Sequence, residues 1–195
     1  MDWAERAAQE SYCKRMKVGC VITTENLKDV LSYGYNGTLA GFPNNCENED
    51  GSTNNSLVVH AEQNALDKLT ASNKSAKDAC VFITVAPCIS CAMRLINVGV
   101  GTVYYGEDYL NKEGYIVTAG IELLKEAGLE VIQVLRVTEH LENPDHPVVY
   151  QIIPEFAKPK PLEGLDIPKG EWFFDEVSEV DPDLLKRIKA RRGRY

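Results

Sequence analysis

Two short runs of residues carry side chains able to do chemistry together. The first is His60-Ala61-Glu62; the second is Pro87-Cys88-Ile89-Ser90-Cys91, with Cys88 standing 26 residues after Glu62. From composition alone roughly 0.3 His-x-Glu triplets and roughly 0.01 Pro-Cys-x-x-Cys runs are expected by chance in such a chain. Two cysteines three apart on the first turn of a helix point to one side and can hold one ion. A helix N-terminus and a cation both favour their thiolate forms. His60 would add a nitrogen donor from a facing helix, and two sulfurs with one imidazole suit Zn2+. Three protein ligands leave the fourth tetrahedral position to water, the pattern of a catalytic rather than a structural site. Glu62 is close enough in sequence to reach that water and move its proton.

The competing readings are weaker. A redox Cys-x-x-Cys would not explain the upstream His-x-Glu, and a structural zinc would want a fourth Cys or His nearby. Cys20 and Cys80 fall on apolar strands and read as small buried hydrophobes.

The elements that must position these residues follow from periodicity. Asp2 can cap a helix reaching about Met16. Strands are expected over 18–24 and 30–35, then a long loop through Asn55, rich in Gly, Asn, Pro and Asp. A helix should begin near His60 and run through Lys68. The strand 80–85 should lead into a helix over 88–98, followed by a strand over 102–105. A helix over 115–127 closed by Gly128 and a strand over 129–135 complete the series. That order gives an α/β domain, a mixed five-stranded sheet with helices on its faces, over residues 1–137. Residues 138–195 read as a C-terminal extension: a strand over 148–153, a proline-rich segment, and a helix starting at Asp181-Pro182.

The chain has 195 residues, 44% apolar and 26% charged, the proportions of a globular protein with a real core. No apolar run could span a bilayer, and Met1-Asp2-Trp3-Ala4-Glu5 lacks the pattern of a signal peptide, so the expected compartment is the cytoplasm. There six cysteines read as thiols or metal ligands before disulfides. The formal net charge of -8 argues against wrapping a polyanion. Lys186, Arg187, Lys189, Arg191, Arg192 and Arg194 nevertheless crowd the last ten residues. They read as a solvated helix end favoured by the macrodipole, or as a clamp for phosphate or a neighbouring subunit.

His60-Ala61-Glu62-Gln63-Asn64-Ala65 with Pro87-Cys88-Ile89-Ser90-Cys91-Ala92 resembles the paired signature of the zinc-dependent cytidine deaminase superfamily. Val18-Gly19-Cys20-Val21-Ile22 leading to Gly34-Tyr35-Asn36-Gly37-Thr38-Leu39-Ala40-Gly41 narrows the likeness to the deoxycytidylate (dCMP) deaminases. The likeness runs from about residue 4 to 137. It implies a three-layer cytidine-deaminase-like fold, one catalytic Zn2+ on His60, Cys88 and Cys91, and Glu62 as the proton shuttle for attack at C4 of the cytosine. The products would be dUMP and ammonia, supplying dTTP synthesis. Ala61 and Ala86 would hold the base edge through their backbones, Asn36 the sugar or base, and Tyr109 would pack on the nucleotide. The family also implies a homo-hexamer activated by dCTP and inhibited by dTTP. Its effector loop would be Gly34, Tyr35, Asn36, Gly37 and Gly41, where Mg2+ could accompany the nucleotide and glycines let amides approach phosphates. Leu39 stands where proline is common. Cys13 and Cys46 match two ligand positions of a second, structural zinc in some phage relatives, which His140 and His146 could complete.

The alternatives are a deaminase of dCTP or deoxycytidine, a nucleic-acid deaminase, or a non-catalytic zinc-binding regulatory module. Acidic charge and the lack of a basic, aromatic-studded groove count against the nucleic acid. The presence of Glu62 counts against the module.

Overall fold

The computed structural model describes residues 1–48, 57–109, 116–137 and 149–153. Four helices, α1 (Asp2–Gln9), α2 (Ala61–Ala71), α3 (Ile89–Asn97) and α4 (Ala119–Glu126), accompany eight strands. The strands are β1 (Gly19–Thr23), β2 (Val30–Tyr35), β3 (Gly37–Thr38), β4 (Val58–Val59), β5 (Cys80–Val85), β6 (Thr102–Glu107), β7 (Glu130–Val137) and β8 (Val149–Ile153). Six of them form one mixed sheet in the order β2-β1-β5-β6-β7-β8. The pairs β5–β6 and β6–β7 are parallel; β1–β2, β1–β5 and β7–β8 are antiparallel.

β1 is buried along its whole length, so both faces of the sheet are covered there. Cys20 and Ile22 join the main core with Ala61 and Ala65 of α2, Leu95 of α3 and Leu124 of α4. Gly19 points the other way, because successive strand residues alternate, and there it meets α1. A Cβ on Gly19 would come within 2.6 Å of the Ala8 nitrogen, so α1 lies almost in contact with the strand backbone. The result is three layers, with α1 on one face and α2 to α4 packed on the other.

The topology brings the chemistry to one end of the sheet. β2 and β5 are both antiparallel to β1, hence parallel to each other and to β6. The carboxyl ends of β2, β5 and β6 therefore coincide, and from them emerge Asn36, Ala86–Cys91 and Tyr109 respectively. The two-stranded pair β3–β4 carries the chain from Asn36 back to His60 at the same end.

Several expectations change. The sheet has six strands rather than five, because β8 pairs along β7 from Gln133↔Ile153 to Val137↔Val149. α1 ends at Gln9, not near Met16: Ser11 turns inward, its hydroxyl donating to the Asn36 carbonyl at 2.8 Å and accepting the Cys13 N–H at 3.2 Å. Met1, not Asp2, is the N-cap; Asp2 instead pairs with Arg6 one turn on, at 2.9 Å. α4 begins at Ala119, four residues later than expected. Cys13 and Cys46 are joined by a disulfide, which corrects both the reading of every cysteine as thiol or ligand and the second zinc site. A compartment argument cannot see that the fold sets their Cα atoms 5.2 Å apart. His140, His146, the helix expected from Asp181 and the basic cluster 186–194 lie outside the described residues.

Candidate active site

His60 is the N-cap of α2 and Cys88 the N-cap of α3, both with extended backbones. Each motif thus sits at a strand-to-helix turn, where the first N–H groups of a helix lack intrahelical acceptors and favour negative charge. Cys91 is one turn into α3 and buried, while Cys88 is half-buried. The His60 Nδ1 lies 3.5 Å from the Cys88 Sγ and 3.4 Å from the Cys91 Sγ. The three donor atoms all fall within 4.8 Å of one another, the one such group among the described residues. Zinc bonds of about 2.3 Å to sulfur and about 2.0 Å to nitrogen, set tetrahedrally, place N and S about 3.5 Å apart. The trio fits a zinc ion in identity, number and spacing.

The closeness of these groups also shifts their protonation. A hydrogen bond from Cys91 is the main influence holding the Cys88 thiol well below its ordinary range. Cys91 is pushed far up by that same shared proton and by burial. The Cys88 sulfur raises His60 to about 8. Glu62, in the first turn of α2 and only 4% exposed, is raised to about 6, chiefly by burial. A carboxyl poised there can both take and return a proton near neutrality.

Ala61 and Ala86, the expected backbone contacts to a base, are both buried, and the Ala86 N–H donates to the Glu107 carbonyl at 2.8 Å. Tyr109, half-buried, packs on the small cluster of Ala86, Tyr105 and Ile121. Asn36 is held at the sheet end by its own side chain: Oδ1 accepts the Val18 N–H and Nδ2 donates to the Met16 carbonyl, each at 2.8 Å. Among the glycines of the expected effector loop, Gly34 is needed for packing, since a Cβ would meet the Ala65 nitrogen of α2 at 2.5 Å. Gly41 needs its left-handed backbone, φ +88°, and Gly37 is buried; among the described residues no atom lies within 4 Å of a Cβ built on either. Tyr35 is half-buried, with the Lys68 Nζ 5.3 Å from its ring centre. Cys20 is fully buried in the core and its thiol is raised by desolvation; Cys80 is buried too, as expected.

Three positioning contacts escaped the sequence. Asn64 donates to the Tyr35 carbonyl at 2.8 Å, tying α2 to the end of β2. Glu47 accepts the N–H groups of Lys14 and Arg15 at 2.8 and 3.0 Å beside the disulfide. Gln133, buried on β7, donates through Nε2 to the Gly106 carbonyl at 3.0 Å and to the Asp108 carboxylate at 3.4 Å, next to Tyr109. Only Gln133 left a trace: a polar residue on the same face as Val131.

A layered α/β fold with a His–Cys–Cys donor set at two helix N-termini and a buried glutamate beside it defines a protein with a candidate zinc centre. Residues 1–107 match the family model described as "Cytidine and deoxycytidylate deaminase zinc-binding region", and the chain belongs to that family. Among its relatives is the deoxycytidylate deaminase of Saccharomyces cerevisiae, 32% identical over 143 residues, covering 68% of this chain and 43% of the yeast protein. The deoxycytidylate deaminase of Enterobacteria phage T4 is 29% identical over 168 residues, covering 65% of this chain and 83% of that one. A crystal structure of dCMP deaminase from the cyanophage S-TIM5 in complex with dCMP and dUMP superposes with a TM-score of 0.61 at 42% identity. It covers 68% of this chain and 91% of the phage protein. The chain spans less than half the length of the yeast relative but nearly all of the phage structure. No helix among the described residues is long and apolar enough to cross a membrane.

Proposed function

We propose that this protein deaminates dCMP hydrolytically, water and dCMP giving dUMP and ammonia. The observation that carries the reading is the donor triangle of His60, Cys88 and Cys91 with the buried Glu62 beside it. The cyanophage structure, similar over 68% of this chain, holds dCMP and dUMP. Zinc held by the trio would supply Lewis-acid activation of the water. Glu62 takes a proton from that water, returns it to N3 of the cytosine, and passes the second to the leaving amine, so that both are accounted for. The backbones of Ala61 and Ala86 hold the base edge, Asn36 the sugar or base, and Tyr109 covers the nucleotide. The residues that contact the 5′-phosphate are not part of this assignment.

Regulation belongs to the same reading: dCTP with Mg2+ activates and dTTP inhibits at the loop of Gly34, Tyr35, Asn36, Gly37 and Gly41, in a homo-hexamer. Its support is the family likeness and the left-handed backbone of Gly41. Residues 1–137 are the deaminase unit, 138–195 an extension, and the protein works in the cytoplasm.

Ammonia release from zinc-loaded protein, offered dCMP, CMP, dCTP and deoxycytidine with and without each effector, tests this. Turnover of dCMP, raised by dCTP and lowered by dTTP, is the expected result. Turnover of dCTP or deoxycytidine alone would keep the chemistry and overturn the substrate. Silence on every nucleotide with zinc bound would overturn the enzyme.

A further inference from the structure

Gly120, the second residue of α4, is buried against the backbone of the turn that carries Cys88. A Cβ at this position would overlap the Pro87 carbonyl oxygen and approach the carbonyl carbons of Pro87 and Cys88 to 3.0 Å. These are backbone atoms, which cannot rotate out of the way. Among the described residues the glycines with positive φ are Gly41, Gly99 and Gly128, so Gly120 is not required by its conformation. Glycine is also among the worst residues for a helix interior. What demands it is space.

The next residue, Ile121, packs in one cluster with Tyr105 and Ala86, and the Ala86 N–H donates to the Glu107 carbonyl at 2.8 Å. Ala86-Pro87-Cys88, the turn from β5 into α3, is thus gripped between the end of β6 and the start of α4. We propose that Gly120 is a positioning residue for the metal centre. Its missing side chain lets α4 abut the turn and sets where the Cys88 Sγ stands relative to Cys91 and His60. The tolerance is narrow, since metal–ligand distances hold to about 0.2 Å, and the overlap from one added methyl exceeds that. The inference rests on the trio being a metal site, and is independent of the nucleotide used.

The test compares the full chain with Gly120→Ala and with Gly101→Ala, the latter at the opposite end of the sheet, where a Cβ meets the Asp78 carbonyl at 3.1 Å. Cobalt absorption of the Co2+-loaded proteins reports ligand geometry, and zinc release to a chromogenic chelator reports its strength. Gly120→Ala should shift the cobalt bands and release zinc at least tenfold faster, with Gly101→Ala matching the parent. Parental bands and release in folded Gly120→Ala overturn the proposal. Should that variant fail to fold, Ile121→Ala carries the test: a band shift with at least threefold faster release supports the proposal, and parental values overturn it. A parent that binds neither metal overturns the reading of the trio as well; metal binding by the parent with unchanged variants overturns this inference alone.

Discussion

Glu62 is a charged residue in a place that disfavours charge. Burial raises it, while its own backbone N–H and His60 pull it back, leaving it at about 6. Such a carboxyl changes hands with a proton readily, which is what a shuttle must do. Glu62→Gln keeps the volume and removes the proton transfer. Its kcat should fall by about 10²–10⁴ with bound zinc undiminished, read by ammonia release beside metal content. Loss of zinc in parallel with activity would mean that Glu62 holds the site together instead. Cys20 shows the opposite outcome for a nearby group. Desolvation, then the Glu62 charge, pushes its thiol well up, and it stays a core side chain rather than a fourth ligand.

The elements reach the site through close backbone approaches and one covalent tie. α2 rests on β2 at Gly34, where a Cβ would overlap the Ala61 carbonyl and reach the Asn64 Cβ at 3.0 Å. Gly34→Ala should cost about 1–3 kcal/mol, as overpacking does, read as a lower urea midpoint. The strain falls on the first turn of α2, so turnover should drop with it. The disulfide between Cys13 and Cys46, 33 residues apart in sequence, pins the segment after α1 to the loop after β3. Closing a loop of that length should contribute about 2–4 kcal/mol. Cys46→Ser, or a dithiol reductant, should lower the unfolding free energy by that amount, and an unchanged denaturation curve under reductant would disprove the bond's contribution.

Across the whole molecule, β8 and α1 meet on the face of the sheet away from the core helices. Arg136 of β7 lies 3.5 Å from Glu5 of α1, an exposed pair that contributes little by itself. Tyr150 of β8 is more informative: burial, then the charges of Glu5 and Asp2, raise its phenol above the ordinary value. In the unfolded chain that group titrates near 10. As pH climbs past about 10 the unfolded chain releases the proton while the folded one keeps it, so the folded state loses ground. Tyr150→Phe should therefore flatten the fall in stability above that pH and leave neutral pH nearly unchanged, as urea midpoints at pH 9 and 11 would show. Equal slopes for the two proteins would remove Tyr150 from that contact.

Local chemistry and local periodicity could be read before any folding was known. His60, Cys88 and Cys91 have side chains that suit one ion whatever surrounds them, and each motif announces its helix start within a few residues. The strands 80–85 and 30–35 and the burial of Cys20 follow from short runs of apolar and β-branched residues, a property of neighbours along the chain. Other features depend on partners far away in sequence. α1 stops at Gln9 because Ser11 finds the carbonyl of Asn36, 25 residues on. β8 becomes the sixth strand because β7 offers it an open edge, and Cys13 finds Cys46 across two loops. Gly120 looks like a helix defect until the Pro87 carbonyl is seen against it. Hydrogen bonds and close contacts between distant segments exist only once the chain has been brought together, so tertiary packing alone decided them.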